Sequence, residues 1–288
     1  MSIFDNDGLP PMTTSIGHST ADDIWVQGYN LADELMGEVD FGSVFFLLVA
    51  GRLPSEGEAR IFNAVLVALA DHGLTPTALA ARLTYLGAPD AIQGAIAAGI
   101  LGAGSVFLGV FEDAGRMLQD AAPQPDADDA EMERLAKDLV QGYRDRGVRI
   151  PGIGHPFHKN GDPRTTRLLK LAEEHDLVGP HTRLMLRVQT MAKSPSGKAL
   201  PLNAAGASGA VLSDLGLDAA VLRGIAVVSR AAGIVGHLAE EQRAPLGKTL
   251  WYLAEREATY KPPIAQAPGA RASLRRRTAE LQARIDEE

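Results

Sequence analysis

Residues 55–72, SEGEARIFNAVLVALADH, set the period of this chain. Ser55 and Glu58 stand three residues apart at the head of the stretch. That is the spacing at which a serine side chain and a glutamate cap the first turn of a helix reciprocally. Ile61, Phe62, Val65, Leu66 and Leu69 follow at intervals of three and four, so they share one helical face. Apolar residues spaced this way cannot line one face of a sheet, where the repeat is two. The pattern recurs along the sequence. Thr75 and Pro76 open a second helix that Gly87 ends, and residues 90–104, DAIQGAIAAGILGAG, predict a buried helix with small residues for close packing. A polar, Pro-containing break at 121–129 precedes a helix with Met132, Leu135, Leu139 and Tyr143 inward, ending near Gly147. Residues 163–175, 180–193 and 217–242 predict three more, and the charged tail 271–288 another. IWVQGY (24–29) is the best strand candidate, and there is no internal repeat. The expected fold class is all-α.

Several function classes fall away on composition. The chain has 288 residues, enough for one large domain or two ordinary ones. A net charge of −8 leaves no basic surplus to neutralise a nucleic-acid backbone. With no cysteines, disulfides, thiolate nucleophiles and Cys-ligated zinc are excluded. No apolar run is read as reaching the length of a membrane span, and the acidic, Pro-broken N-terminus is unlike a signal peptide. No membrane partner and a cytoplasmic location are the expectations. Aromatic residues are only 5 %, so Ala, Leu, Val and Ile must fill the interior.

Chemistry is concentrated in residues 152–164, GIGHPFHKNGDPR. Gly152 and Gly154 bracket His155 and let backbone pass close to a ligand. Asp162-Pro163 is a good helix start, with the aspartate as cap. Arg164 then lies in the first turn, where the helix dipole disfavours a cation, and binding an anion would offset that cost. Lys159 adds a second positive charge.

This segment resembles the G-x-G-H…K-x-x-D-P-R signature of the citrate synthase superfamily, and its His-Pro-x-His-Lys form is most similar to the citryl-CoA lyase-like branch. VDFGSVFFLLVAGRLPSEGEA (39–59), ALADHGLTPTALAAR (68–82), LPLNAAGASGAVLSDLG (200–216) and VVSRAAGIVGHLAEEQ (227–242) resemble further family segments in the same order. The resemblance implies an all-α homodimer. Each subunit would have a large domain (1–111 and 213–288) and a smaller mobile, CoA-binding domain (112–212). It also implies making or breaking a carbon–carbon bond between a thioester enolate and a ketone carbonyl, with a coenzyme A thioester as substrate and no tightly bound cofactor. By the same resemblance His155 contacts the ketone or hydroxyl oxygen and helps take the hydroxyl proton in cleavage. His72, Arg164 and Arg230 grip substrate carboxylates, and His158 lines the site. Arg149, Ile150, Gly152 and Gly154 surround the adenine of CoA, and Lys159 meets its phosphates.

Two positions depart from the family. A second histidine that polarises the thioester oxygen is replaced by Phe107, and the aspartate base is replaced by Ala205. An alanine cannot move a proton and a phenylalanine cannot polarise a carbonyl. Three readings follow: a lyase whose glycine-rich 102–109 segment supplies backbone N–H groups instead, with Glu112 or Asp113 as a substitute carboxylate; a family lyase disabled by an Asp-to-Ala replacement at 205; or a non-catalytic CoA- or acid-binding protein. The leading expectation is a carbon–carbon lyase that cleaves a 3-hydroxy-carboxyacyl-CoA to an acyl-CoA and a keto acid. A citrate synthase-type condensing enzyme is the alternative. His237 is expected to pack structurally and His175 and His181 to lie at the surface. No histidine pair has metal-ligand spacing along the sequence, so no metal is expected.

Overall fold

The computed structural model describes residues 12–155, 158, 160–194 and 196–261. Lys159 and the predicted tail helix at 271–288 lie outside them. Residues Met1–Gly247 fall in one compact unit and Lys248–Glu288 in a second.

The described chain is mostly helical, as the periodicity requires. The single strand expected at 24–29 is instead split by a turn within a small antiparallel sheet, β1 (Gly17–Ser19), β2 (Ile24–Val26) and β3 (Tyr29–Asn30), with β2 at its centre. Gln27 and Gly28 both take positive φ between β2 and β3, the two-residue turn whose twist matches a hairpin. The helices follow: α1 (Phe41–Ala50), α2 (Glu56–Ala70), α3 (Pro76–Gly87), α4 (Ile92–Leu101), α5 (Gly109–Ala121), α6 (Asp129–Asp145), α7 (Pro163–Glu174), α8 (Pro180–Met191), α9 (Ala204–Asp214), α10 (Ala219–Arg243) and α11 (Gly247–Glu257).

The Ser55–Glu58 capping box at α2 is present in full, and Ile61, Phe62, Val65 and Leu69 are buried. Thr75 precedes α3 without capping it, and its hydroxyl pairs with that of Thr77 instead. The expected single helix over 90–104 is interrupted. It becomes α4, then a π turn at Gly104–Leu108, and α4 meets the following helix at a bend of 67°. Nor is it wholly buried, for Leu101 is 83 % exposed. The expected boundaries at 111/112 and 212/213 fall inside α5 and α9.

α10 is the central helix, packed on α2, α3, α4, α5 and α9. Contrary to the sequence expectation, its length and composition alone would let it cross a membrane. Its packing gives a different reason for that apolarity, since Leu222, Ile225, Ala226, Ile234 and Leu238 are all core residues. At Gly233 it touches the end of α2 so closely that a Cβ would overlap the Ala70 carbonyl.

A second close approach joins the 152–164 loop to α9. A Cβ on Gly152, itself at φ +80°, would overlap the backbone of Gly206. Gly154 N–H donates to Pro201 O (2.7 Å) and Asn203 N–H to Gly152 O (2.9 Å). Asp162 then clamps two helix starts at once. Its carboxylate accepts from Arg164 N–H (3.1 Å) on α7 and from Ala204 N–H (3.1 Å) on α9, and pairs with the Arg164 guanidinium (2.8 Å). Burial pushes this carboxyl up, but the Arg164 guanidinium and the two N–H groups outweigh burial and hold it at about 2.

Two stability predictions follow from these contacts. Gly233→Ala forces a methyl group into a carbonyl, so the urea midpoint should fall by the equivalent of about 1–3 kcal/mol. Asp162→Asn leaves Arg164 without its partner and should cost about 3 kcal/mol at neutral pH. Because the folded pKa of Asp162 lies below the ordinary value of about 3.9, its contribution is complete above that pH and is lost as pH falls toward about 2. Unfolding followed from pH 5 downward should therefore show a shallower acid slope in Asp162→Asn than in the wild type; an equal slope would remove Asp162 from this role.

Candidate carboxylate and thioester site

The C-terminus of α2 organises the candidate site. The last carbonyls of a helix have no intrahelical partner and carry partial negative charge. Here cations answer them. Arg164 Nη1 donates to Ala68 O (3.4 Å) and Arg230 Nε to Leu69 O (3.0 Å), while the Ser229 hydroxyl donates to Leu66 O. Arg230 is 9 % exposed, and among the described residues nothing accepts from its terminal NH₂ groups. Burial lowers its pKa, Asp71 raises it and Arg164 lowers it. Arg164 is held by Ala68 O and by Asp162 together, whereas Arg230 is held by one carbonyl, which leaves its fork suited to a carboxylate.

His72 is the second residue past α2, and its ring centroid lies 6.1 Å from that of His155 and 6.2 Å from that of His158. The His155 and His158 centroids are 4.4 Å apart. The backbone N–H of His158 donates to His155 Nδ1 (2.9 Å). An Nδ1 that accepts carries no proton, so the ring's proton sits on Nε2 and that atom is a donor. Burial, then His158, lowers the His155 pKa below its usual range, with Arg164 and His72 adding to the effect against Asp162. The ring is therefore neutral near pH 7. A ring protonated on Nε2 presents a hydrogen-bond donor there, which suits the expected contact with a ketone or hydroxyl oxygen.

One nitrogen from each of His72, His155 and His158 lies within 4.8 Å of the others, a grouping that linear spacing did not reveal. Three imidazoles at that distance could in principle hold a borderline metal ion. The charged neighbours argue for an anion instead, since Arg164 acts electrostatically on His155 and also on Arg230.

The other expected residues are placed unevenly. Gly152 and Gly154 form the backbone turn against α9, and Asn203 Nδ2 donates to Gly154 O (2.7 Å). Ile150 packs on the core and Arg149 is exposed. Ala205 occupies the second residue of α9, partly buried, one position beyond the Ala204 N–H that Asp162 binds. Phe107 lies on the π turn, 50 % exposed, and among the described residues no ring contact joins it to the three histidines. The N–H groups of Leu108 and Gly109 are used within that turn. Glu112, considered as a substitute base, is paired with Arg116 (2.9 Å) and Arg223 (3.0 Å), which ties it to structure. Asp113 is exposed. His181 is not a free surface residue: its N–H and its ring Nδ1 both bond to Asp214, whose carboxylate caps α8.

Two residues of this neighbourhood were missed. Asp71 accepts from Gly73 N–H (2.9 Å) and from His237 Nε2 (2.8 Å), and His237 was expected only to pack. The available signal was the aspartate preceding His72 and a histidine two helical turns beyond Arg230.

Comparison with known proteins agrees with this arrangement. The model of the citrate synthase C-terminal domain matches residues 54–250. The citryl-CoA lyase of Hydrogenobacter thermophilus superimposes with a TM-score of 0.77 at 32 % identity, covering 89 % of this chain and 97 % of that one. The ATP citrate lyase of Methanothrix soehngenii, solved with citrate and coenzyme A, gives 0.70 at 24 % identity, covering 90 % and 43 %, and shows a shared fold. In sequence, an ATP-citrate synthase beta chain of Oryza sativa subsp. japonica is 26 % identical over 87 % of this chain and 40 % of its own length. Citrate synthase 2 of Bacillus subtilis is 28 % identical over 68 % of this chain and 51 % of its own. The chain thus spans about half or less of these curated relatives. It belongs to the citrate synthase family, in its citryl-CoA lyase-like branch.

Proposed function

We propose that this protein is a carbon–carbon lyase acting on a CoA thioester, cleaving a 3-hydroxy-3-carboxyacyl-CoA of the citryl-CoA kind to an acyl-CoA and a 2-keto acid. The observation that carries the reading is His155, fixed as an Nε2–H donor by the His158 N–H and set beside His72, with Arg164 in electrostatic reach of it and of Arg230. The likeness to a citryl-CoA lyase over nearly that whole chain supports it.

The chemistry divides into two halves. In cleavage the bond between the hydroxyl-bearing carbon and the α-carbon breaks, and its electrons pass to the thioester as an enolate. The hydroxyl oxygen gives up its proton to solvent and becomes a ketone, and the enolate carbon takes one proton up, so the cleavage is proton-neutral overall. Charge develops on that oxygen, and His155 Nε2–H is the donor oriented toward it; such a donor commonly contributes about 10²–10³ in rate. Arg164, Arg230 and His72 hold the carboxylates of the keto-acid half. On the thioester side the enolate carbon must gain a proton, and neither Ala205 nor Phe107 can supply or direct one. Coenzyme A is bound, in this reading, by the backbone turn at Gly152 and Gly154 together with Arg149 and Lys159. The homodimer, the mobile 112–212 domain and the cytoplasmic location belong to the same proposal.

The incomplete thioester half favours a second reading, a CoA- and acid-binding family member with little turnover. One experiment separates the two. Purified protein is incubated with citryl-CoA, and acetyl-CoA and oxaloacetate are followed by mass spectrometry, for the wild type, Ala205→Asp and His155→Ala. We expect slow cleavage by the wild type, a rise of about 10²–10⁴ on restoring a carboxylate at 205, and loss of cleavage in His155→Ala. A metal chelator should leave the rates unchanged. No cleavage in either the wild type or Ala205→Asp, with CoA still raising the melting temperature, would favour the binding protein.

A further inference from the structure

Behind the carboxylate-binding corner lies a chain of charged groups that the lyase reading does not use. Arg82 on α3 is fully buried and pairs with Glu241 (2.6 Å) and Glu240 on α10. Its Nη2 also meets His237 Nδ1 at 2.9 Å. A guanidinium can only donate, so His237 Nδ1 accepts and the ring's proton is on Nε2. That proton goes to Asp71 Oδ1 (2.8 Å), and the other Asp71 oxygen accepts from Gly73 N–H (2.9 Å). An aspartate that accepts from the N–H two residues on closes a turn around the residue between them. That residue is His72. Asp71 is also the charge that raises the Arg230 pKa against its burial.

We propose that His237 is a positioning residue for substrate carboxylates: it anchors Asp71 to the buried Arg82, and through Asp71 sets both the turn that carries His72 and the charge facing Arg230. This rests on the reading of that corner as a carboxylate site. Glu241 and Glu240 brace α3 to α10 through Arg82, and Glu241 accepts in addition from Leu246 and Gly247 N–H. His237 joins the same arginine and, unlike the two glutamates, continues to Asp71. His237 has only 14 % of its side chain exposed, whereas the Asp71 side chain is 53 % exposed and open to change without disturbing the core.

The test is calorimetric titration of citrate and, separately, of coenzyme A into the wild type, His237→Phe, His237→Gln and Asp71→Asn. Losing a hydrogen bond to a charged group should weaken citrate about tenfold in His237→Phe and in Asp71→Asn, with CoA affinity unchanged. His237→Gln, whose amide can both donate to Asp71 and accept from Arg82, should recover most of the loss. A purely structural role predicts a lowered melting temperature with citrate affinity intact, or equal losses for both ligands, and either result overturns the proposal. So does full citrate affinity in Asp71→Asn, which remains decisive should His237→Phe fail to fold. A wild type that binds no citrate overturns the carboxylate site itself and this inference with it.

Discussion

The C-terminal end of α2 is the feature on which the rest of the site depends. Its orphan carbonyls must find donors, and the donors they find are side chains from two distant segments, Arg164 on α7 and Arg230 on α10. An arginine has five N–H groups in a rigid fork, so one bond to a carbonyl fixes the orientation of the others. The helix end thus does two things at once. It satisfies its own backbone, and it gathers two cations at the helix end that His72 follows by two residues. The stability of α2 and the geometry of the binding corner are one arrangement.

Backbone contact without side chains secures the approach of these pieces. Gly233 brings α10 onto the Ala70 carbonyl, and Gly152 brings the histidine loop onto Gly206. Each pair leaves no room for a methyl group. Asp162 adds an ionic clamp in the same region, holding the starts of α7 and α9 together on one buried carboxylate. The segment that carries His155 and His158 is therefore attached on both sides, at Gly152 and at Asp162, to the start of α9.

Much of this was legible in the sequence, for definite reasons. The capping box at Ser55, the 3.6-residue period of α2 and the Asp-Pro start of α7 are local patterns, and they predict local structure. The G-x-G-H segment marked the loop, and the resemblance named His72, Arg164 and Arg230. What was not legible was pairing at long range. Asp71 and His237 are 166 residues apart, and nothing in either neighbourhood announces the bond. The clustering of His72 with His155 and His158 is likewise a product of packing. The bend after α4 was missed because its apolar composition runs on unbroken, while the backbone changes to a π turn at Gly104. α10 was assigned correctly as a helix, but its membrane-like apolarity is explained only by the helices around it.

The site is asymmetric in its chemistry. On the side proposed for the keto acid, three groups have a physical support: His155 has its tautomer fixed by the His158 N–H, Arg230 is anchored to α2, and Arg164 is tied to Asp162. On the thioester side Ala205 and Phe107 offer no acid, base or polar donor. Yet Ala205 sits at the second residue of α9, where the helix dipole stabilises a carboxylate. The neighbouring N–H groups are already disposed around acceptors, with Asp162 at Ala204 and the Asn203 side chain at Gly206. The cap of α9 is thus complete without any contribution from the side chain at 205, so a carboxylate introduced there would meet the helix dipole without displacing an existing hydrogen bond.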